Sequence, residues 1–594
     1  MRAERESLGN RVYGVRIVRC ARIPDARTVL YGFDVKYRVT GAGRENEPIC
    51  WAIYDGRRGH LMPLSGKLKL SDLTAALLEL RDATDPQAHH VVLASWFAQA
   101  ELSVIENDMK ATLMHQSGGL FGLRWHVNLS RRRRVTFTIF DLCAMYGRKE
   151  LGEFAPFGVP ELKWDKAANL SDRKFCAYAV NDAHICSALG EQLDGEFLRG
   201  WGLNPFRFQS VGHIGSSIFR HYYLLKDVMQ PHPDVRELAL IAYRGSGDYG
   251  GCWARGVMPG QWGEYDAVSM YPSSAAKLGF LPTREDWWAW TPGTDWPETG
   301  LYRAQITWPE GVKRTLMAIV PGLDGAESYG YPRQAVDVWT GFELKAAEKL
   351  GCQVRIISGR WYETGSDALP MLMSHLTVKR AQHKRDGCAL ESVYKNLANT
   401  LIGKLGQHRG HVGYSLQWDE PSRALQVRRN DTQFSSYGSV FAPEWWCLIV
   451  GYARSVMMGV IAEFDAVHCN VDAVLLELDV PEFERGGLTF RRKSGGDLLR
   501  LAARNLWQLE RGGAVLRFAA ALGRDLTELR SAFQGWTGEA LSVPYTATDL
   551  VTIPLHAADR ERYPLNTHRE VELTFNIPAL DGGTDEHGRA GGEK

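Results

Sequence analysis

The chain has 594 residues, of which 45% are apolar, and its mean hydropathy is -0.26. This size and composition indicate a large globular protein of three or more domains. The net charge of +1 does not by itself indicate a polyanionic partner, although basic runs occur at Arg131–Arg134, Lys379–Arg385 and Arg491–Lys493. A solvated protein face is the ordinary alternative for each run.

The N-terminal sequence MRAERESLGNRV is charged and lacks the apolar stretch of a secretory signal. No run of about 18 apolar residues follows, so we expect a cytoplasmic protein with no membrane partner. Ten cysteines are scattered singly from Cys20 to Cys469 without a CxxC pair. This spacing argues against a zinc ribbon and against a disulfide framework, and it predicts reduced thiols.

The predicted elements begin with β-rich runs at residues 29–56 and 88–94, followed by helical patterns such as SVIENDMKATLMH. These favour an α/β domain that ends near residue 225. Further on, GVMPGQWGEYDAVSMYP predicts a strand leaving a turn, and KRAQHKRDGCALESVYKNLANTLIGKLG predicts two helices broken near Asp386 and Gly387. The middle of the chain is therefore expected to be α+β.

An aspartate, Asp266, stands at the predicted end of a strand in YDAVSMYPS. This DxxSxYPS pattern resembles motif A of the family B DNA polymerases. The resemblance implies that Asp266 binds both catalytic metal ions, that Ser269 approaches the triphosphate, and that Tyr271 stacks under the sugar and excludes a 2′-hydroxyl. An ordinary strand and turn with a buried tyrosine is the alternative.

In the segment KNLANTLIG, the residues Lys395, Asn399 and Gly403 recur at i, i+4 and i+8 and so share one helical face. The segment resembles motif B of the same family, KxxxNSxYG. The resemblance implies that Lys395 contacts the triphosphate and that Asn399 and Gly403 lie near the incoming base. Ile402 replaces the family's tyrosine, which puts inspection of the new base pair in doubt.

Upstream of this segment, Arg380 and Lys384 lie one helical turn apart. At this position the family carries a basic helix that closes on the triphosphate. A charged, solvated face is the alternative for both residues.

The segment VHCNVDAV lies between apolar β-rich runs and predicts a hairpin that presents Asp472 at its turn. It resembles motif C, YxDTDS, of which only the second aspartate survives. The resemblance makes Asp472 the metal ligand shared with motif A. Asn470 in place of the first aspartate is expected to weaken metal binding or slow turnover, and an ordinary surface hairpin remains the alternative.

The three motifs stand in the family's order, with Lys395 129 residues after Asp266 and Asp472 77 residues after Lys395. These gaps suit the protein-primed branch, which carries inserted segments in both. Here the insertions fall at about 285–370 and 405–440, and the first resembles the segment that contacts the priming terminal protein. Tyr243, Arg244 and Gly245 resemble that branch's YxGG template-binding turn.

In the N-terminal domain, YGFDVK resembles the first proofreading exonuclease motif, DxE, with Asp34 in place but Lys36 instead of glutamate. Glu101 stands at the second motif, and Tyr178 and Asp182 fit the third, YxxxD. A lysine ammonium cannot ligate Mg²⁺ and is expected to pair with Asp34 or Asp182 instead. We therefore expect a retained fold with impaired proofreading.

Together these features predict a mixed α/β and α+β multidomain chain: an RNase H-like exonuclease domain (1–225), then a right-hand polymerase of palm, fingers and thumb (226–577), and a disordered tail (578–594). The resemblance implies two Mg²⁺ or Mn²⁺ ions, primer-template DNA and dNTPs as partners, and a terminal protein as a candidate primer. Two alternatives stay open, namely a weakened homologue acting as a nucleic-acid binding or regulatory module, and a polymerase with relaxed or template-independent synthesis.

Overall fold

The structure of the chain is a computed structural model. It describes residues 27–575 apart from 41–44, 107, 117–118, 132, 148–149, 155–158, 160–161, 163, 165–168, 209, 224–231, 243–248, 313, 318–330, 332, 408–412, 420–423, 431–439, 504–505, 521–526, 535, 538–540 and 551–565. The predicted domain boundary near residue 225 and the predicted tail at 578–594 both lie outside the described residues.

The N-terminal part is a mixed sheet packed against helices. Its strands are β1 (Thr28–Thr40), β2 (Glu45–Tyr54), β3 (Gly59–Pro63), β4 (Leu68–Lys69), β5 (His90–Ser95), β6 (Ile105–Glu106), β7 (Ala111–Gln116), β8 (Gly119–Ser130) and β9 (Arg133–Asp141). Its helices are α1 (Leu70–Thr84), α2 (Ala98–Ser103), α3 (Leu142–Tyr146), α4 (Arg173–Trp201) and α5 (Val211–Ile218).

The main N-terminal sheet has the order β3-β2-β1-β5-β9-β8-β7. Strands β1 to β3 form an antiparallel meander, and β1, β5 and β9 are parallel. The long helix α4 packs on β1 and β2, and its glycine Gly190 lies against Leu30 and Ala94 of the sheet. This arrangement agrees with the predicted RNase H-like domain.

The helix predicted for SVIENDMKATLMH is wrong, because most of this segment is extended. Its second half forms β7, which pairs antiparallel with β8, while Ile105 pairs with Leu68. Between them, Asp108 accepts hydrogen bonds from the backbone and hydroxyl of Ser71 at the start of α1. Strand pairing with β8 thus outweighs the helical preference that the spacing of apolar residues indicates.

The remaining strands follow in chain order. They are β10 (Gly250–Cys252), β11 (Gly256–Ala267), β12 (Trp287–Ala289), β13 (Gly300–Thr307), β14 (Gln334–Thr340), β15 (Gln353–Tyr362), β16 (Gly413–Asp419), β17 (Ala424–Asn430), β18 (His468–Asn470), β19 (Ala473–Leu476), β20 (Glu482–Arg485), β21 (Leu488–Ala503), β22 (Leu506–Arg511), β23 (Ala514–Ala520), β24 (Leu541–Leu550) and β25 (Asn566–Phe575). The helices are α6 (Pro233–Ala242), α7 (Met270–Leu278), α8 (Gly341–Lys349), α9 (Ala368–Arg385), α10 (Leu390–Leu405), α11 (Pro443–Glu463) and α12 (Thr527–Gln534).

A second sheet forms the centre of this part, with the order β10-β18-β19-β11-β21-β22-β23 and β20 paired to β21. The strands β12 to β15 form a separate sheet of order β12-β15-β13-β14, which lies within the segment predicted as the first insertion. Strands β16 and β17 pair as a hairpin within the second predicted insertion. The predicted hairpin of β18 and β19 is present and brings residue 472 to the central sheet.

The predicted pair of helices is also present as α9 and α10, which contact each other closely. They are interrupted at residues 386–389, where Gly387 has a φ of +62° that suits a residue without a Cβ. The break therefore falls at the predicted position. It folds the basic end of α9 back toward the start of α10.

Helix α11 is a core element of the C-terminal part of the chain, with residues in both large hydrophobic clusters. By length and composition it could cross a membrane, but 78% of its most apolar window is buried inside the protein. Trp445 is 1% exposed and donates its indole hydrogen to the Pro282 carbonyl at 2.7 Å. This packing accounts for the apolar composition of the helix, which lines the sheet from behind.

Candidate active site

Two aspartates lie close together at the ends of adjacent inner strands of the central sheet. Asp266 is the penultimate residue of β11 and lies opposite Ala473 of β19, so the turn before β19 reaches its neighbourhood. Asp472 stands in that turn, and the Ala267 amide donates to the Asp472 carbonyl at 2.8 Å. Asp266 and Asp472, which we name the dyad, are therefore fixed by adjacent strands of one sheet.

Left-handed backbone conformations flank both members of the dyad. Val471 has a φ of +60° and Ser269 a φ of +50°, and both residue types rarely adopt this region. The Val471 amide donates to the Tyr249 carbonyl at 2.8 Å, which helps to hold the hairpin turn. Such strain is kept where the surroundings enforce it, and it is frequent at functional sites.

The neighbouring strand needs a glycine beside the hairpin. Gly250 of β10 has a φ of +137° and pairs with Asn470, and a Cβ there would lie 2.1 Å from the Cys469 carbonyl oxygen. The glycine-rich stretch in this region thus permits close approach of two backbones. It seats the hairpin of β18 and β19 on the sheet.

Burial and the neighbouring carboxylate of Asp266 raise the pKa of Asp472 to about 6, although Lys493 and Lys395 act in the opposite direction. Lys493 places its ammonium 2.8 Å from Asp266 Oδ2. The dyad is thus a concentration of negative charge that is only partly balanced by lysines. Carboxylates held together in this way favour a bound cation.

The donor set fits Mg²⁺ or Mn²⁺ in chemistry, because both are hard cations that take carboxylate oxygens and retain water and phosphate ligands. Among the residues that the structure describes, no group of three or more histidine, cysteine or acidic side chains could hold a metal. The residues that the motif resemblance assigns to the ions are Asp266 and Asp472. This resembles sites in which substrate phosphates complete the coordination.

Behind Asp266, the chain turns directly into helix α7. The Ser273 hydroxyl donates to the Val268 carbonyl at 3.0 Å, and the Ser273 amide donates to the Ser269 carbonyl at 2.8 Å. Tyr271, in the first turn of α7, is partly buried and packs against both large hydrophobic cores. The turn predicted after Asp266 is therefore present and rigidly held.

The two basic residues of α9 differ in their surroundings. Arg380 donates one hydrogen bond to the Ser269 hydroxyl and another, through Nε at 2.6 Å, to Glu391 Oε1. Lys384 is exposed one turn further along the same helix. Arg380 thus lies beside the turn that follows Asp266, but here it bridges protein groups, and a phosphate would have to compete with Glu391.

The predicted face of α10 is present. Lys395, Asn399 and Gly403 are all exposed, whereas Ile402 is 2% exposed and packs in the core. Helix α10 contacts α7, the helix that follows Asp266, and the charge of Lys395 lowers the pKa of Asp472, so Lys395 lies within electrostatic reach of the dyad. Tyr243, Arg244 and Gly245, the predicted template-binding turn, lie outside the described residues.

The predicted exonuclease residues also converge. Lys36 lies 3.1 Å from Asp34 Oδ2 and pairs with Asp182 Oδ2, and its ammonium lies 4.1 Å from the centre of the Tyr178 ring. Burial lowers the pKa of Lys36, but Asp34 and Asp182 outweigh it and raise that pKa well above its ordinary value. The predicted pairing of Lys36 is thus formed with both aspartates.

Glu101, at 3% exposure, lies on α2 beside this cluster. Burial, followed by the charge of Asp34, raises its pKa well above the ordinary value. Asp141, at the end of β9, is a further buried acid whose pKa burial raises to about 7, although it accepts a hydrogen bond from the Phe97 amide at 3.1 Å. The site therefore holds more acidic groups than its single lysine can balance.

The sequence pattern missed three residues of these two sites. Lys493 was visible only as part of a basic run, and its contact with Asp266 depends on a strand irregularity. Glu391, the partner of Arg380, carried no pattern of its own. Asp141 ends the apolar β-rich run TFTIFD, which is the one signal that could have indicated it.

Comparison with protein families supports the motif resemblance. Residues 177–416 match the model of the family "DNA polymerase type B, organellar and viral". No curated protein sequence matches the chain significantly.

Solved structures agree with the chain over most of its length. The Phi29 DNA polymerase complexed with primer-template DNA and incoming nucleotides aligns with a TM-score of 0.64 at 14% identity, covering 93% of this chain and 99% of that one. The binary complex of the same polymerase with primer-template DNA aligns with a TM-score of 0.63 at 15% identity, covering 93% and 100%. The multidomain α/β fold predicted from the motifs is thereby confirmed. Residues 177–416 of the chain are thus similar to the type B DNA polymerases, and the chain as a whole has the fold of Phi29 DNA polymerase.

Proposed function

We propose that the chain extends DNA by template-directed nucleotidyl transfer at the Asp266–Asp472 dyad. The observation that carries this proposal is the convergence of the two aspartates on adjacent strands, with Lys395 of α10 within electrostatic reach of Asp472. The dyad would hold two Mg²⁺ or Mn²⁺ ions. When bound, such ions activate the primer hydroxyl and neutralise charge that develops on the triphosphate.

The surrounding residues would position the nucleotide. Lys395 presents an ammonium on the exposed face of α10, where it can attract phosphate oxygens, and Asn399 and Gly403 leave space for the incoming base. Arg380 could exchange Glu391 for a phosphate oxygen, because charge-assisted bonds from a guanidinium suit both partners. Ser269 and Tyr271 line the start of α7 beside Asp266.

We further propose impaired proofreading. This is supported by Lys36, whose ammonium stands between Asp34 and Asp182, where a catalytic ion would need carboxylate oxygens. The same residues explain why the fold is retained, since the lysine balances buried acids that would otherwise repel one another.

Protein priming and a cytoplasmic location in a bacterial, phage or plasmid context also remain proposals. Priming by a terminal protein is supported by the sheet of β12 to β15 that fills the first insertion. Relaxed templating is the second candidate, and one observation favours it. Ile402 is buried in the core, so no aromatic ring extends from this position toward a base pair.

The test is DNA extension by the purified chain on a primed template, on an unprimed template and without DNA, each with Mg²⁺ or Mn²⁺. We expect extension of the primed template that copies its sequence. Products of the expected length whose sequence ignores the template would favour relaxed templating. Failure to extend any substrate, by protein that binds DNA, would favour the degenerate-module alternative.

Replacing Tyr271 with alanine is expected to raise ribonucleotide incorporation relative to deoxyribonucleotide incorporation at least about tenfold, because the ring that would clash with a 2′-hydroxyl is lost. The control is Tyr414→Ala, which changes a tyrosine in the second insertion. Tyr302→Ala would be unsuitable because Tyr302 is fully buried. The ratio of kcat/KM for matched UTP and dTTP measures the effect. An unchanged ratio in Tyr271→Ala would contradict the proposed role.

Metal affinity is expected to depend on pH through Asp472. Its pKa of about 6 exceeds the ordinary carboxyl value, so protonation begins at a higher pH than in an exposed aspartate. Because only the carboxylate binds the ion, Mn²⁺ affinity of the DNA-free protein should fall as pH drops from 7 toward about 5. The stability of the metal-free protein should change in the opposite direction. Its free energy of unfolding should rise over the same pH range, because protonation of Asp472 removes a buried charge that Asp266 repels. Titrating Mn²⁺ by electron paramagnetic resonance at several pH values tests the first expectation, and a flat profile would refute it.

A further inference from the structure

The basic run Arg491–Lys493 of β21 does not act as one solvated face. Arg491 lies 3.3 Å from Glu482, and Arg492 pairs with Asp479, and both of these acids are largely exposed. The third residue, Lys493, is directed instead toward the dyad. The run therefore divides between two exposed ion pairs and one contact with the active site.

A β-bulge explains why Lys493 points there. In the pairing of β11 with β21, Glu264 lies opposite Ser494 and Tyr265 lies opposite Arg492, so Lys493 is the extra residue of the bulge. Bulges redirect a side chain and are frequent beside active sites. The result is an ammonium 2.8 Å from Asp266 Oδ2 on a side chain that is 49% exposed.

We propose that Lys493 is a built-in counter-ion of the metal-free dyad that competes with the divalent ions for Asp266. This inference rests on the proposed function, because it takes Asp266 and Asp472 as the metal ligands. An ammonium cannot ligate a cation, and its charge opposes one nearby, so Lys493 must move aside when the site fills. Its flexible, half-exposed side chain can do so without disturbing the core.

Both candidate metal sites of the chain therefore contain a lysine whose ammonium pairs with an aspartate of the site. In the N-terminal cluster, Lys36 lies between two aspartates and is largely buried, with 15% of its side chain exposed. In the dyad, Lys493 lies on one aspartate and is half exposed. Lys36 stays between its aspartates because it is buried, whereas Lys493 is half exposed and can move away from Asp266. Lys493 therefore sets the metal concentration at which the dyad fills.

The experiment compares Lys493→Met with the wild type and with Arg492→Met, which removes the same charge from a residue that lies opposite Tyr265 and pairs with the exposed Asp479. Mn²⁺ binding to the DNA-free protein is measured by electron paramagnetic resonance, and Asp266→Asn identifies the ions that occupy the dyad. We expect Lys493→Met to bind these ions about two- to fivefold more tightly, with Arg492→Met and Lys493→Arg near the wild type. The melting temperature in EDTA verifies that each variant is folded.

The outcomes separate the two levels of the proposal. Unchanged or weaker Mn²⁺ binding in folded Lys493→Met overturns the competition, as does an equal gain in Arg492→Met, which would indicate only the general field of the protein. Wild-type binding that Asp266→Asn does not reduce overturns the metal site itself, and the inference with it. Tighter binding confined to Lys493→Met supports both.

Discussion

Replacing Asp266 with alanine is expected to lower kcat for primer extension at least about a thousandfold, because a lost metal ligand removes several kcal/mol of transition-state stabilisation. The measurement is single-turnover extension of a primed template with saturating dNTP. The metal concentration should be raised stepwise, since weaker binding alone would be rescued by excess Mg²⁺ or Mn²⁺. A residual defect at saturation shows that the carboxylate also orients the ion.

The matched control for this loss is Asp479→Ala, which removes an exposed carboxylate from the same part of the chain. Asp479 pairs with Arg492, and 58% of its side chain is exposed, so its loss should change the extension rate by no more than about twofold. Asp266→Ala itself should remain folded, because removing one of two neighbouring carboxylates relieves their repulsion. Extension by folded Asp266→Ala at the wild-type rate would show that the dyad is not the catalytic centre.

The sequence predicted the parts of the site that depend on local pattern. Strand periodicity and turn position placed Asp266 near the end of a strand and Asp472 in a hairpin turn, whereas their assignment to one site came from the resemblance to motifs A and C. The shared face of Lys395, Asn399 and Gly403 followed from helical spacing alone. These predictions succeeded because each needs only neighbouring residues.

The missed features depend on how distant strands are paired. Lys493 reaches Asp266 because one residue is inserted in the pairing of β11 and β21, and no local pattern gives that register. The pairing of Arg380 with Glu391 likewise requires the helix break at 386–389. The wrong helix at 103–115 has the same origin, because β8 captures a segment whose own spacing of apolar residues favoured a helix.

The N-terminal cluster illustrates a different limit. The sequence indicated a lysine at a metal-ligand position, but not whether the fold would keep the acids around it. The structure retains Asp34, Asp182 and Glu101 near one another, with Lys36 among them. An acid in place of Lys36 would therefore complete the four motif acids, beside which Asp141 is a further buried acid.

Replacing Lys36 with glutamate is accordingly expected to create 3′-5′ exonuclease activity at least about tenfold above the wild-type background, since it exchanges the ammonium for a carboxylate ligand. The assay incubates a labelled primer with a mismatched 3′ end and Mg²⁺ without dNTPs. A second readout is independent of turnover: Mg²⁺ should raise the melting temperature of Lys36→Glu more than that of the wild type, because the ion replaces the lost positive charge.

Lys36→Met is the control that removes the ammonium without adding a ligand. It should trim no faster than the wild type, and its free energy of unfolding should fall by about 3 kcal/mol, because two buried carboxylates lose their partner. Ready trimming by the wild-type chain would instead contradict the proposed impairment. Absence of trimming by a folded Lys36→Glu that Mg²⁺ stabilises would place the defect beyond this residue, in the alignment of the primer end with the acids.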